Sequence, residues 1–217
     1  MNNCLIVCNG ELSKKLIQKF AGLNKPQKQF DIIAADGASD FLYKHKIIPD
    51  YIIGDLDSIS LPALKYFSNK RVKIKKIIDQ NKNDLEKCML YAFRKGCKKL
   101  YIIGLTGKRL DHTINNLSIL KKYSDKTDIK CYDDEFEYFI INKKTEFEYK
   151  SGEVVSLISL PKATGIKTKG LKYPLKNETL EFGVREGALN IAISKVVRID
   201  INNGCLLVIK KYFGNID

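Results

Sequence analysis

Through about residue 130, short aliphatic and β-branched runs alternate with stretches of helical periodicity, and this alternation constrains the fold more than any other feature of the chain. The runs are Cys4 to Val7, Ile32 to Ala35, Tyr51 to Ile53, Val72 to Ile78, Tyr101 to Ile103 and Ile129 to Tyr132. Most are apolar throughout, as strands buried on both faces must be, and such strands belong to parallel sheets covered by helices. The clearest helix spans Asp84 to Lys95, where Leu85, Cys88, Met89, Ala92 and Phe93 fall on one helical face. After about Asn142 the texture changes to short runs that alternate apolar and polar residues: Thr145 to Tyr149, Glu153 to Ser159, Gly165 to Leu171, Ala188 to Ile193, Val196 to Ile201 and Cys205 to Lys210. Turn signals at Lys150-Ser151-Gly152, Pro161, Gly170 and Asn202-Asn203-Gly204 separate them, which reads as an antiparallel sheet or small sandwich. The expected organisation is an α/β domain, a mostly parallel sheet flanked by helices, over residues 1–142, followed by an antiparallel β domain over residues 143–217.

Several function classes fall away on composition. The stretch Val154 to Leu160 is far short of the ~20 apolar residues a membrane helix needs. The start has no basic opening and no small-residue cleavage site, so a cytoplasmic protein without membrane attachment is expected. Six cysteines lack any Cys-x-x-Cys pair and only two histidines are present, which argues against zinc and for buried, reduced thiols. The net charge of +13 raises the question of a polyanionic partner. Only five of the 38 basic residues are arginine and the lysines are spread evenly, so a solvated lysine-rich surface is the better reading and nucleic acid is not expected as a partner.

In an open parallel sheet, ligands bind beyond the carboxyl ends of the strands, and acids stand there in three places. Ile32 to Ala35 runs into Asp36-Gly37-Ala38, Tyr51 to Ile53 into Gly54-Asp55-Leu56-Asp57-Ser58, and Tyr101 to Ile103 into Gly104 to His112. In extended backbone Asp55 and Asp57 point to the same side, and two converging carboxylates suit a hard cation such as magnesium shared with substrate phosphates. The same two residues also suit a turn and cap for a helix following Ser58. Asp84 opens the amphipathic helix behind Asn83, a plausible N-cap, and gains from the helix dipole in a purely structural role as well. Gly104 to Arg109 is neither a Walker loop nor a dinucleotide fingerprint. Its glycines would nevertheless admit an anion to the backbone N–H groups, and Arg109 offers a planar fork for phosphate, with Asp111 a further acid at a helix start. His112 reads as a satisfied histidine of a first helical turn or as a catalytic group. Acids that need magnesium beside a basic fork suit a polyphosphate.

These segments, in this order and spacing, resemble the thiamin pyrophosphokinase family. The resemblance rests on Asp36-Gly37-Ala38, on Pro49 to Ile59 and on Gly104 to His112, and extends to Gly170 to Leu175 and Leu180 to Asn190, which look like the family's thiamin-binding portion. It implies an α/β ATP-binding catalytic domain, a C-terminal antiparallel β-sandwich that binds thiamin, and a homodimer whose active site uses both subunits. The implied reaction is magnesium-dependent transfer of diphosphate from ATP to the hydroxyl of thiamin, giving thiamin diphosphate and AMP. Carried over by position, Asp55, Asp57 and Asp84 look like the metal and ATP-phosphate site, and Gln80, Arg109 and Asp111, with His112, like nucleotide contacts. Asp36 resembles another acid of the cleft, Asp111 or Asp36 the group that orients the acceptor hydroxyl, and Leu171 and Asn190 thiamin contacts. Two departures stand out: Asn83 where the family has Thr, and Gly187-Ala188-Leu189-Asn190 where it commonly reads Gly-x-Ser-Asn; there is also no tryptophan to stack on a substrate ring. A different ATP-dependent phosphotransferase acting on a related alcohol, or a basic nucleic-acid-binding module, are the competing readings.

Overall fold

The computed structural model describes residues 3–21 and 30–213. The chain separates into two compact units, one holding the residues up to Ile119 with Thr127–Asp134, the other Leu120–Lys126 with Glu135 onwards. The outermost residues of the expected domains, 1–2 and 214–217, lie outside the described residues.

In the first unit, all six expected strands form: β1 (Asn3–Val7), β2 (Asp31–Ala35), β3 (Tyr51–Gly54), β4 (Lys73–Lys76), β5 (Lys99–Ile103) and β6 (Asp128–Tyr132). They pair in parallel in the order β4-β3-β2-β1-β5-β6. Helices α1 (Lys14–Ala21), α2 (Ser39–Lys44), α3 (Leu61–Asn69), α4 (Asp84–Arg94) and α5 (Leu110–Tyr123) lie between strands in the sequence. Leu5, Ile6, Val7, Ile33, Ile52, Ile53, Ile102 and Ile103 are all buried, as the apolar runs require. The edge strand β4 is shorter than the Val72 to Ile78 run, and its lysines are exposed. Charged side chains along an open edge discourage pairing with another chain. On α4, the predicted face buries Leu85, Cys88, Met89 and Ala92 against β1, β2 and β3. Each large side chain there contributes roughly 1.5–3 kcal/mol. Asn83 is the N-cap of α4, its side-chain oxygen accepting the Glu86 N–H at 3.0 Å.

Cysteines are buried as expected, with Cys8, Cys88, Cys131 and Cys205 free. The reduced state expected throughout does not extend to Cys4 and Cys97, which form a disulfide with Cα atoms 6.0 Å apart. The pairing of Cys4 with Leu100 across β1 and β5 brings Cys97, two residues ahead of β5, within reach, a contact set by sheet register and invisible in sequence spacing.

The second unit is antiparallel: β7 (Phe136–Ile141), β8 (Thr145–Glu148), β9 (Val154–Lys169), β10 (Lys176–Glu181), β11 (Gly187–Ile191), β12 (Val196–Asp200) and β13 (Asn203–Lys211). β9 pairs with β10, β11, β12 and β13, while β7 joins β13 and β8 joins β12. Val155, Leu157, Ala163, Ile166, Leu180, Val197, Ile199, Leu206 and Val208 make its apolar core. Two strands expected at Glu153 to Ser159 and Gly165 to Leu171 are therefore one 16-residue strand. Pro161 reads as a turn in isolation, but neighbouring strands pair on both sides of it. Proline, lacking an N–H, sits where the β13–β9 register shifts, and its carbonyl still accepts the Phe182 N–H at 2.7 Å. Strands β7 and β10 are additional to those read from the sequence. No helix among the described residues is long and apolar enough to cross a membrane.

Replacing Asn83 by Ala removes both its cap bond and its bond to Asn116 on α5, 2.9 Å away. A loss of about 1–2 kcal/mol in urea unfolding is expected, and Asn83→Thr, which keeps a capping oxygen, should lose less.

Candidate active site

Successive connections from β1 through β4 move one way along the sheet, whereas β5 and β6 lie on the other side of β1. Loops leaving the adjacent strands β1 and β5 therefore diverge, and a crevice opens beyond their carboxyl ends. A cavity of about 510 Å³ fills it, lined by Asn9 and Gly10 after β1, Asp55, Asp57 and Ser58 after β3, Gln80 to Asn83 ahead of α4 with Asp84 and Leu85 of its first turn, and Gly104, Leu105 and Gly107 to Arg109 after β5. His112, Asn115 and Asn116 of α5 complete the wall.

Three acids converge here, Asp55 and Asp84 on the cavity lining and Asp36 buried beside them. Asp36, Asp55 and Asp84 each offer an oxygen within 4.8 Å of the others. Asp36 is wholly buried and accepts the N–H groups of Gly37 at 2.7 Å and Leu56 at 2.8 Å. It lies so close to β3 that a Cβ on Gly54 would stand 2.4 Å from its Cγ, so only glycine fits there. Burial, with the neighbouring Asp84 charge, pushes the Asp36 carboxyl up to about 6, against the pull of its two N–H donors. For Asp55, burial acts upward but is outweighed by the Asp57 backbone N–H and by Lys87, which hold the carboxyl below its usual value. Lys87, one turn after Asp84, is 4% exposed and reaches Asp84 at 3.1 Å and Asp55 at 3.6 Å. Burial opposes its charge, yet Asp84 and Asp55 raise its ammonium above the ordinary lysine value.

Asp57 is not one of these three acids but adjoins Asp55, donating its N–H to Asp55 Oδ1 at 3.3 Å. The period-two argument needs extended backbone, and Leu56 has φ of 67°, which turns the chain between the two acids. Asp57 is exposed on the cavity wall and accepts the Ser58 hydroxyl at 2.8 Å. Neither acid caps α3: its N-cap is Ser60, anchored by Asp40 at 2.5 Å. An all-oxygen set with one buried member suits a hard divalent cation.

The loop after β5 is fastened from below. Gly10 N–H donates to Gly104 O at 2.8 Å and Glu11 N–H to Thr106 O at 2.7 Å. A Cβ on Gly10 would stand 2.1 Å from Thr106 O, so this close approach also requires glycine. Gly104, Gly107 and Lys108 adopt positive φ, and the Lys108 ammonium donates to Asn9 Oδ1 at 3.0 Å. Arg109 and Asp111 are exposed and bound to each other, Nε to Oδ1 at 3.0 Å, and the guanidinium pulls the Asp111 carboxyl down to about 2. His112 and Gln80 expose their side chains on the cavity wall. Beneath the loop, Asn83 Nδ2 donates to Asn116 Oδ1 at 2.9 Å, and Asn116 Nδ2 donates to Leu105 O at 2.9 Å. The N-terminus of α4, the body of α5 and the end of β5 are thereby tied together.

In the second unit Asn190 is 6% exposed and grips the backbone of Tyr173, accepting its N–H at 3.1 Å and donating to its carbonyl at 2.8 Å. Leu171 is buried and bridges Ala192. Leu189 is 74% exposed with φ of 57°. Sequence reasoning thus missed Asn9, Gly10, Gly54, Lys87 and Asn116. Asn9-Gly10 follows β1 as the other candidate loops follow their strands, and Lys87 lies three residues beyond Asp84, one helical turn along the same face; both were readable signals. The remaining partners depended on packing.

The family model for "Thiamin pyrophosphokinase, catalytic domain" matches residues 26–132, and that for "Thiamin pyrophosphokinase, vitamin B1 binding domain" residues 139–206. The chain is 30% identical over 183 residues to thiamine pyrophosphokinase 1 of Oryza sativa subsp. japonica, covering 78% of this chain and 68% of that protein. Its fold matches the crystal structure of thiamine pyrophosphokinase from Bacillus subtilis with a TM-score of 0.82 at 22% identity, covering 98% of this chain and all of that one. The yeast thiamin pyrophosphokinase structure gives a TM-score of 0.81 at 22% identity, over 97% of this chain and 86% of that one. With acids gathered at the sheet's switch point and both domain models matched in order, the chain belongs to the thiamin pyrophosphokinase family.

Proposed function

We propose that this protein transfers diphosphate from ATP to the hydroxyl of thiamin, forming thiamin diphosphate and AMP. The observation that carries the reading is the convergence of Asp36, Asp55 and Asp84 within 4.8 Å at the crevice where the sheet order reverses. That donor set suits magnesium, which would neutralise charge on the ATP phosphates. Asp55, Asp57 and Asp84 are its protein ligands in this reading, with Asp36 beside them. Arg109 releases Asp111 and takes a phosphate oxygen through its fork, while Gln80 and His112 contact the nucleotide. The acceptor hydroxyl attacks the β-phosphorus in line with the departing AMP oxygen. Asp111, once freed, is an exposed carboxylate at the start of α5 and orients that hydroxyl. Positioning supplies most of the acceleration.

In the same reading residues 1–142 form the ATP-binding catalytic domain and residues 143–217 the thiamin-binding domain. Asn190 acts on thiamin through the Tyr173 segment it holds, and Leu171 supports that segment from the core. The exposed Leu189 offers an apolar surface where the family commonly has serine. The enzyme works in the cytoplasm as a homodimer whose active site draws on both subunits.

Asp55→Asn, Asp57→Asn and Asp84→Asn should each lower kcat/KM by ~100-fold or more with the fold retained. Chromatography of the nucleotide released from ATP, with thiamin and without acceptor, measures this. Near wild-type turnover in Asp55→Asn would remove the metal assignment, and ADP in place of AMP would remove diphosphate transfer. For Asn190→Ala, KM for thiamin should rise ~10-fold while KM for ATP holds steady; a parallel rise in both would contradict the division of labour between the domains.

A further inference from the structure

Lys87 has no part in the reaction as proposed, yet it is the buried cation of the acid cluster. Its ammonium lies 3.1 Å from Asp84 Oδ1 and 3.6 Å from Asp55 Oδ2, and its side chain is 4% exposed. An ammonium withdrawn from water is costly unless carboxylates surround it, and the two it meets are members of the trio that converges within 4.8 Å. The relation is mutual. Three carboxylates at that spacing repel one another strongly in a partly desolvated site, and Lys87 is the side chain that bridges two of them. Its place is fixed by α4, since position 87 follows position 84 by one turn on the same face and the neighbouring Leu85, Cys88 and Met89 are buried against the sheet. With all three acids ionised, the trio and Lys87 together carry two negative charges, the complement of one divalent cation. A second cation between Asp55 and Asp84 would have to displace the ammonium.

We propose that Lys87 is a built-in counter-ion of the acid cluster: it holds Asp55 and Asp84 together when no metal is bound and confines the cluster to one divalent cation. The second half rests on the reading of these acids as metal ligands; the first half stands without it. Lys87 is on this account a positioning residue, acting through the carboxylates it holds.

The test compares wild type, Lys87→Met, Asp55→Asn and the Lys87→Met/Asp55→Asn double variant, in EDTA and in saturating magnesium. Methionine keeps most of the aliphatic stem and removes the charge. In EDTA, Lys87→Met should melt roughly 5 °C or more below wild type, and magnesium should recover most of that loss, a rise well beyond the one it produces in wild type. Adding Asp55→Asn to Lys87→Met should raise the metal-free melting temperature, because it removes the repulsion that the missing ammonium leaves behind. Titration with Mn2+ in the absence of nucleotide should show one site in wild type, and in Lys87→Met either ~10-fold tighter binding or a second ion. A side chain that merely packs would give equal losses in EDTA and magnesium, an additive double variant and unchanged Mn2+ binding, and that set of results would overturn the proposal. Should Lys87→Met fail to fold at any magnesium concentration, recovery of the fold by the double variant supports the proposal and continued failure sinks it. Absence of Mn2+ binding by wild type would instead strike the metal reading, leaving the EDTA comparison to decide the counter-ion role.

Discussion

Repulsion among three carboxylates is the constraint around which the first unit is organised. Asp36, Asp55 and Asp84 come from separate segments of the chain, and unaided they would move apart. The backbone holds them: two N–H groups grip Asp36, the bare Cα of Gly54 makes room for it, and the N-cap of Asn83 fixes the helix turn that carries Asp84. Lys87 supplies the opposite charge from within the same helix. The Asp36 carboxyl is drawn up to about 6 first by its burial and then by the Asp84 charge, so part of the repulsion survives these contacts.

Rigidity around the cluster comes from hydrogen bonds between loops that are far apart in sequence. Asn116 receives an N–H from Asn83 and gives one to Leu105, so a shift of α4 would disturb both α5 and the end of β5. Gly10 fastens the opposite side of the β5 loop through close backbone contact. A site that stabilises charge by preorganised groups needs its surroundings held in place. Arg109 and Asp111 form the contrasting part: their side chains are exposed, paired with each other and ready to exchange that contact for a ligand at small cost, because ion pairs in water are weak.

Legibility in the sequence followed the range of the interaction. All six strands of the parallel sheet and the buried face of α4 were readable because burial imposes apolar runs and a 3.6-residue period on local sequence. Asn83 was readable as a cap because capping acts across three residues. Strand β9 was read as two because Pro161 is a turn former locally, while the partners that keep the strand continuous lie elsewhere in the chain. Candidate site residues divided the same way. That acids stand at strand ends was visible; that Asp36, Asp55 and Asp84 converge on one point was not, since it turns on the side-by-side placement of β2 and β3 and on the packing of α4.

By itself, the order of residues determined a parallel α/β unit followed by an antiparallel one, and a set of strand-end acids beside a basic fork. These features follow from periodicity, propensity and near-neighbour bonds, all of which act over a few positions. Only the tertiary structure decided which carboxylates face one another, that Lys87 also reaches Asp55, and that Asn190 holds the Tyr173 backbone. Charge and hydrogen-bond partners are selected by distance in space, and that distance is fixed only when sheet order and register bring remote segments together.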